Sequence, residues 1–324
     1  MQAIRVHRHG GPEVMTLDDV AAGPPRAGEV RVRHRAIGVN FVDTYFRSGA
    51  YAPPALPFIP GNEAAGEILE VGAGVEDFAP GDRVAYVAVL GAYAEARNVD
   101  ARLVVRLPHA IGFEQAATMM LKGLTAHYLL HRTFSVGAGH TVLIHAAAGG
   151  LGLILTQWAR HLGARVIGTV GSAAKARLVQ ARGADHVIDY EREDFAARIR
   201  EITGGRGVDV VYDGVGRKTF AGSLASLRPL GLLVSHGAAS GPVEPFDIAL
   251  LMQKGSLYAT SPQLFTHLEN REDVVAMSRH LFDVVASGAV RMTIEASLPL
   301  SEAAEAHRLL EGRATSGAMV LIPD

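Results

Sequence analysis

Residues 141–152, TVLIHAAAGGLG, carry an apolar run, a cluster of alanine and glycine, and the opening of an amphipathic stretch. Ala147, Gly149 and Gly152 fall in the spacing AxGxxG, the dinucleotide fingerprint GxGxxG with alanine at its first position. Small side chains there let backbone approach a pyrophosphate, and the N–H groups of a helix start favour its charge. A glycine-rich turn also serves as a plain strand-to-helix connection, so the turn by itself leaves both readings open.

About twenty residues beyond the glycines, a dinucleotide site ordinarily places an acid that accepts from the adenosine ribose. This chain has Gly171, Ser172 and Lys175 there instead. A carboxylate would repel a ribose 2′-phosphate, whereas Ser172 donates to it and Lys175 neutralises it. The pattern favours NADPH over NADH. The alternative is that Lys175 is a solvated cation on the first turn of a helix, where its charge opposes the macrodipole.

Two further groups of residues bear on chemistry. Residues 40–51, NFVDTYFRSGAY, read as a connecting loop rich in rings. Phe41, Tyr45, Phe46 and Tyr51 either offer flat surfaces to a flat substrate or plug the core, and both readings stand. The chain has no cysteine, which excludes disulfides, thiolate catalysis and every thiolate zinc site. His127 and His131 lie four apart on a predicted helix, but no glutamate follows His127 as HExxH requires, and a pair supplies too few ligands. Structural use of the two is expected, with no metal.

The elements that must position these groups alternate in type. Strands are predicted at 141–145, 165–170, 186–189, 208–213 and 230–235 with helices between, a βαβ pattern that calls for a doubly wound parallel sheet. Gly214 and Gly216 end the fourth strand, where open α/β sheets bind ligands. Before this region, residues 1–122 read as short strands between turns. In 29–36, Val30, Val32, His34 and Ala36 alternate with arginines, so one face is buried and one wet. Helices are expected at 113–131, 271–287 and 301–312, and a terminal strand at 318–322 is expected to return to the first domain. The 324 residues suffice for two domains. With 31 basic and 33 acidic residues, nothing draws the chain to nucleic acid or a membrane. It lacks a bilayer-length apolar run and a signal-peptide core, which makes a cytoplasmic enzyme the expectation.

The turn PGDRV at 80–84, the segment GNEAAGEILEVGAGV at 61–75 and the glycine loop resemble the medium-chain dehydrogenase/reductase superfamily. With HGGPEVM, AIGVNFVDTYFRSGAY, FEQAATMMLKGLTAHYLL, GTVGSAAKA, VVYDGVGRKTF, QKGSLYAT and EGRATSGAMVLIP, the whole chain resembles its zinc-free quinone oxidoreductase branch, the ζ-crystallin-like NADPH:quinone reductases. The resemblance implies a Rossmann NADPH-binding domain over 123–261 and a discontinuous, mostly β GroES-like catalytic domain over 1–122 and 262–324. It also implies a cleft between them and a homodimer joined through the cofactor domains. Zinc-dependent members carry a histidine ligand in GHE where this chain has Gly61-Asn62-Glu63, and asparagine is not a usual zinc donor.

By position, the resemblance implies that Asn40, Tyr45 and Tyr51 line the nicotinamide and quinone cleft, with Phe41 beside them. Lys122 and Thr125 approach the cofactor near the domain junction. Gly149, Gly150, Leu151 and Gly152 cradle the pyrophosphate. Gly171, Ser172, Lys175 and Tyr190 hold the 2′-phosphate and adenine end, and Gly216 the sheet edge. His236, Gly237, Ala238 and Arg313 complete the nicotinamide side. Relatives usually carry an apolar residue at His236 and a basic one near Ser261, so acceptor preference and NADPH affinity are where this chain departs. The implied activity is metal-independent hydride transfer from NADPH to a quinone, with Tyr45 or Asn40 hydrogen-bonding the acceptor oxygen. Reduction of α,β-unsaturated ketones or aldehydes would use the same site. A non-enzymatic NADPH- or RNA-binding crystallin-like role is the third reading, against which the near-neutral charge stands.

Overall fold

The computed structural model describes residues 1–312 and 315–323. The chain divides into two compact units, one of Met1–Leu124, Leu268–Ala286 and Met292–Asp324, the other of Thr125–His267 and Ser287–Arg291.

The second unit is the doubly wound parallel sheet that the alternating pattern predicts. Its strands lie in the order His186–Asp189, Arg165–Val170, Thr141–Ile144, Val208–Asp213, Leu227–Ser235, Tyr258–Thr260, all parallel. Every residue of Thr141–Ile144 and Val208–Asp213 is buried, as strands covered on both faces require. The chain starts at Thr141–Ile144, runs outward one way, and returns to Val208–Asp213 on the other side. The strand order therefore reverses between these two, the place where such sheets open a crevice for ligands. One strand departs from expectation. Tyr258–Thr260 forms the sixth strand, where the sequence shows only a change of pattern after Leu257. It is short and its first two residues are exposed, so no apolar run marks it.

The first unit is mostly β. Its seven-stranded sheet runs Ile294–Pro299, Ala318–Ile322, Glu29–Val39, Glu63–Val71, Arg83–Val87, Val104–Arg106, with Ala96–Asp100 also paired to Glu29–Val39. The terminal strand returns as predicted, with Met319 opposite Val39 and Leu321 opposite Ile37. The long strand alternates buried and open positions through its first half and is wholly buried at its end. Gly38 explains the change. A Cβ there would meet the carbonyl of Ala117 and come within 2.6 Å of Glu63 Cγ, because the helix beginning at Phe113 lies directly on the strand.

Residues 40–51 are a correction. They do not form a connecting loop: Phe41–Ser48 is an α-helix, begun at Asn40 in extended conformation and ended by Gly49 at φ 85°. The signal was in the sequence, since Asn40 followed by Asp43 is a capping pair and Gly49 a left-handed stop. The helix predicted over 113–131 is α-helical over Phe113–Tyr128 and continues as one π-helical turn, Leu129–Thr133. Among the described residues no helix is long and apolar enough to cross a membrane.

Substituting Gly38→Ala forces the helix at Ala117 away from the strand. It should cost about 1–3 kcal/mol of stability, the usual range for overpacking a filled core. Urea denaturation measures this, and an unchanged midpoint would mean that the helix yields freely.

Candidate active site

In the second unit the strand Thr141–Ile144 ends in His145 and a turn in which Ala146 takes φ 50°. Helix Gly150–His161 follows, and its first backbone bond of the α type runs from Leu153 N–H to the Gly149 carbonyl at 2.9 Å. The N–H groups of Gly150, Leu151 and Gly152 thus precede the helical ladder, which is the arrangement that suits a phosphate. A Cβ on Gly152 would strike the Ala146 carbonyl and lie 2.7 Å from Ala147 Cα, so this glycine lets helix and turn pack.

At the end of the next strand, Gly171, Ser172, Lys175 and Tyr190 come together. A Cβ on Gly171 would lie 2.7 Å from the Tyr190 hydroxyl. Ser172 begins helix Ala173–Ala181 and its Oγ accepts from Lys175 N–H at 3.3 Å. No carboxylate occupies residues 170–175, so a cation and a hydroxyl stand where a ribose-binding acid would. On the far side of the switch point, Gly216 has φ 86°, and a Cβ there would lie 2.6 Å from the Gly241 carbonyl and 3.2 Å from Ala238 Cα. Gly237 and His236 pack on Gly214. The Nε2 of His236 is buried and has no hydrogen-bond partner among the described residues. Burial first, opposed by the negative charge of Asp213, takes this imidazole down to about 4, so it is neutral at pH 7. Thr125 lies at the start of this unit.

In the first unit the structure brings Asn40, Phe41, Tyr45, Tyr51 and Lys122 into one neighbourhood. Tyr45 packs between Phe41 and Tyr51, at 5.5 and 5.1 Å between ring centres. Tyr51 is 48% exposed. Asn40 is buried and its Nδ2 donates to Glu63 Oε1 at 2.7 Å. Lys122 Nζ donates to the same oxygen at 3.0 Å and to the Val39 carbonyl at 3.2 Å. Glu63 Oε2 accepts from Leu121 N–H at 2.6 Å. Arg313 lies outside the described residues.

Sequence reasoning missed the buried groups that hold this helix in place. Asp43 accepts from Asn40 N–H at 2.8 Å, Asn62 Nδ2 at 2.5 Å and the Tyr93 hydroxyl at 3.0 Å. Tyr93 also meets His307 Nε2 at 3.1 Å, and Arg47 donates to His307 Nδ1 at 3.0 Å and to Glu311 at 2.6 and 3.0 Å. His307 is pushed down to about 3, by burial first and by the Arg47 charge second. Its Nδ1 then accepts from Arg47 and its Nε2–H donates to Tyr93. Only the Asn40–Asp43 capping pair announced any of this in the sequence.

Two family models match the chain. One, described as alcohol dehydrogenase GroES-like domain, covers residues 26–131, and one described as zinc-binding dehydrogenase covers 150–274. A quinone oxidoreductase of Salmonella typhimurium is 49% identical over 323 residues, 99% of each chain. A 2-haloacrylate reductase of a Burkholderia species is 44% identical over 330 residues, 100% of this chain and 99% of that one. The crystal structure of Escherichia coli quinone oxidoreductase complexed with NADPH matches with a TM-score of 0.98 at 47% identity, covering 100% of both chains. The second model's description raises the fit of zinc. At the GHE position the residues do not suit it. Asn62 spends its amide nitrogen on Asp43 and its oxygen accepts from Leu90 N–H at 3.3 Å, and the chain has no cysteine.

Burial pushes the Asp43 carboxyl up from an ordinary 3.8 to about 6, although Asn40, Asn62, Tyr93 and Lys122 all favour its charged form. A carboxyl raised on folding stabilises fully below its unfolded value and loses that contribution as pH rises through its folded one. Carboxyl ¹³C NMR should show Asp43 titrating near pH 6, and Asn62→Leu should move it higher by removing a donor. A titration near pH 4 in both proteins would contradict this account.

Proposed function

Because the chain belongs to the quinone oxidoreductase branch of the medium-chain dehydrogenase/reductase superfamily, we propose that it passes reducing equivalents from NADPH to a quinone without a metal. The observation that carries the reading is the convergence of Gly171, Ser172, Lys175 and Tyr190 at the sheet edge, with no acid among them. This neighbourhood suits a 2′-phosphate on charge and hydrogen-bonding grounds. The N–H groups of Gly150, Leu151 and Gly152 suit the pyrophosphate. Gly216 and Gly237 let the loops after the fourth and fifth strands pack backbone on backbone, and a neutral His236 adds no charge. Bound NADPH supplies the hydride, and the residues supply place and orientation. Tyr45 and Tyr51 offer ring surfaces to the acceptor, and the Tyr45 hydroxyl donates to its oxygen as charge develops there. Lys122, held by Glu63 and Val39, adds positive charge close to Asn40. The donor set around Asn62 supports a route without zinc.

The 44% identity to a 2-haloacrylate reductase favours a second reading, reduction of an activated carbon–carbon double bond at the same site. Following NADPH and NADH oxidation separately against quinones and α,β-unsaturated ketones tests both. We expect NADPH with quinones to be fastest. Lys175→Ala should raise the Kd for NADPH about tenfold or more while leaving NADH within about twofold, since a charge-assisted phosphate contact contributes about 1.5–3 kcal/mol. Equal losses for the two coenzymes would remove the phosphate assignment.

We further propose a homodimer through the sheet unit. Among the described residues its edge strand Tyr258–Thr260 has an unpaired side, and Leu230, Ile248, Met252 and Tyr258 are exposed nearby in sequence and sheet order. An open strand edge with apolar neighbours is a pairing surface. Sedimentation should give twice the 34.3 kDa chain mass, and Ile248→Glu with Met252→Glu should give the monomer. A monomeric unmodified protein at micromolar concentration would exclude it.

A further inference from the structure

Beneath the carboxyl edge of the parallel sheet lies a buried chain of polar side chains that the proposed reaction does not use. Asp213 ends the strand Val208–Asp213 and is 2% exposed. Its Oδ1 accepts from Val215 N–H at 2.9 Å, Gly216 N–H at 3.0 Å and the Thr219 hydroxyl at 2.8 Å. Its Oδ2 accepts from Ser223 Oγ at 2.8 Å, on helix Phe220–Ser226. Ser223 Oγ meets His145 Nε2 at 3.0 Å, and His145 Nδ1 meets Thr169 Oγ1 at 2.8 Å. Phe195 closes the ring of His145 edge-on at 4.9 Å. Ser223 and Thr169 have no exposure and His145 has 3%.

The direction of every proton in this chain follows from chemistry. Burial acts to raise Asp213, but His145, Gly216 N–H, Ser223 and Thr219 reverse that and hold it below its ordinary value. An ionised carboxylate only accepts, so the Ser223 hydroxyl donates to it. Burial likewise lowers His145, which is therefore neutral at pH 7. With the Ser223 hydrogen spent, His145 Nε2 carries the ring proton and donates to Ser223, and the bare Nδ1 accepts from Thr169.

The members of this chain sit where the sheet meets the coenzyme. His145 directly precedes Ala146, whose left-handed turn opens the glycine loop. Thr169 belongs to the strand whose end leads to Gly171 and Ser172, and its carbonyl also accepts from Ala147 N–H at 3.0 Å. Asp213 fixes Gly216, against which Ala238 packs. We infer that His145 is a positioning residue, and that the chain Thr169–His145–Ser223–Asp213 sets the spacing between the glycine turn and the 214–219 loop, so that both meet one NADPH molecule. This rests on the reading that the sheet edge holds NADPH.

The test has two parts, both on the full-length protein. NADPH titration of the unmodified protein, by coenzyme fluorescence, first decides whether NADPH binds at all, which is the reading beneath. In Ser223→Ala we expect the Kd for NADPH to rise about tenfold, as the loss of two buried hydrogen bonds allows. The KM for quinone at saturating NADPH should shift less than twofold. Thr169→Val, which keeps side-chain shape and loses only a donor, should raise the Kd about threefold and carries the test if the serine variant does not fold. A lowered melting temperature with unchanged Kd in both variants would reduce the chain to a structural role. Independently of coenzyme, ¹⁵N NMR of the histidines should find His145 as the Nε2–H tautomer. In Asp213→Asn it should switch to Nδ1–H, because the new amide donates to Ser223 and turns the serine hydrogen toward Nε2. An Nδ1–H tautomer in the unmodified protein would overturn the inference.

Discussion

A carboxylate taken out of water must be met by donors, because an unpaired buried charge costs several kcal/mol. In this chain that constraint organises both units. Glu63 and Asp43 in the first draw donors from elements far apart in sequence, and Asp213 in the second draws them from the loop and helix that follow its strand, with His145 joined through Ser223. Removing one donor leaves the charge in place, so the penalty falls on the whole cluster. This is why the helix bearing Tyr45 and the glycine-bearing loops are held by groups that need not touch a substrate.

The two units solve the same problem with different materials. In the sheet unit the donors are mostly backbone N–H and hydroxyl groups, from Val215, Gly216, Thr219 and Ser223. These are short and preorganised, and they fix backbone, which is what a phosphate-bearing ligand reads. In the first unit the side chains of Asn40, Asn62, Tyr93 and Lys122 join the backbone N–H groups of Asn40 and Leu121 as donors. Asp43 remains the expensive member of that set, since its donors do not fully repay its burial.

Asn62 shows how the chemistry of one residue alters that of its neighbours. An imidazole in its place would present a metal ligand. The amide instead donates to Asp43 with one end and accepts from Leu90 N–H with the other. The position is thereby absorbed into the support of helix Phe41–Ser48.

What the sequence settled by itself is local. The small residues at Ala147, Gly149 and Gly152, the apolar strands around them, and the serine and lysine in place of an acid are all legible because their meaning depends on neighbours within one βαβ unit. The capping pair Asn40–Asp43 with Gly49 was equally local, and its helix was there to be read. The strand Tyr258–Thr260 was not, because three residues at a sheet edge bury too little to leave a pattern. Tertiary structure alone decided that Asp43 lies against Tyr93 and, through it, His307, and that Ser223, bonded to Asp213, meets His145. No period or spacing encodes such meetings, since they arise only when the folded backbone leaves buried charges that distant donors must satisfy.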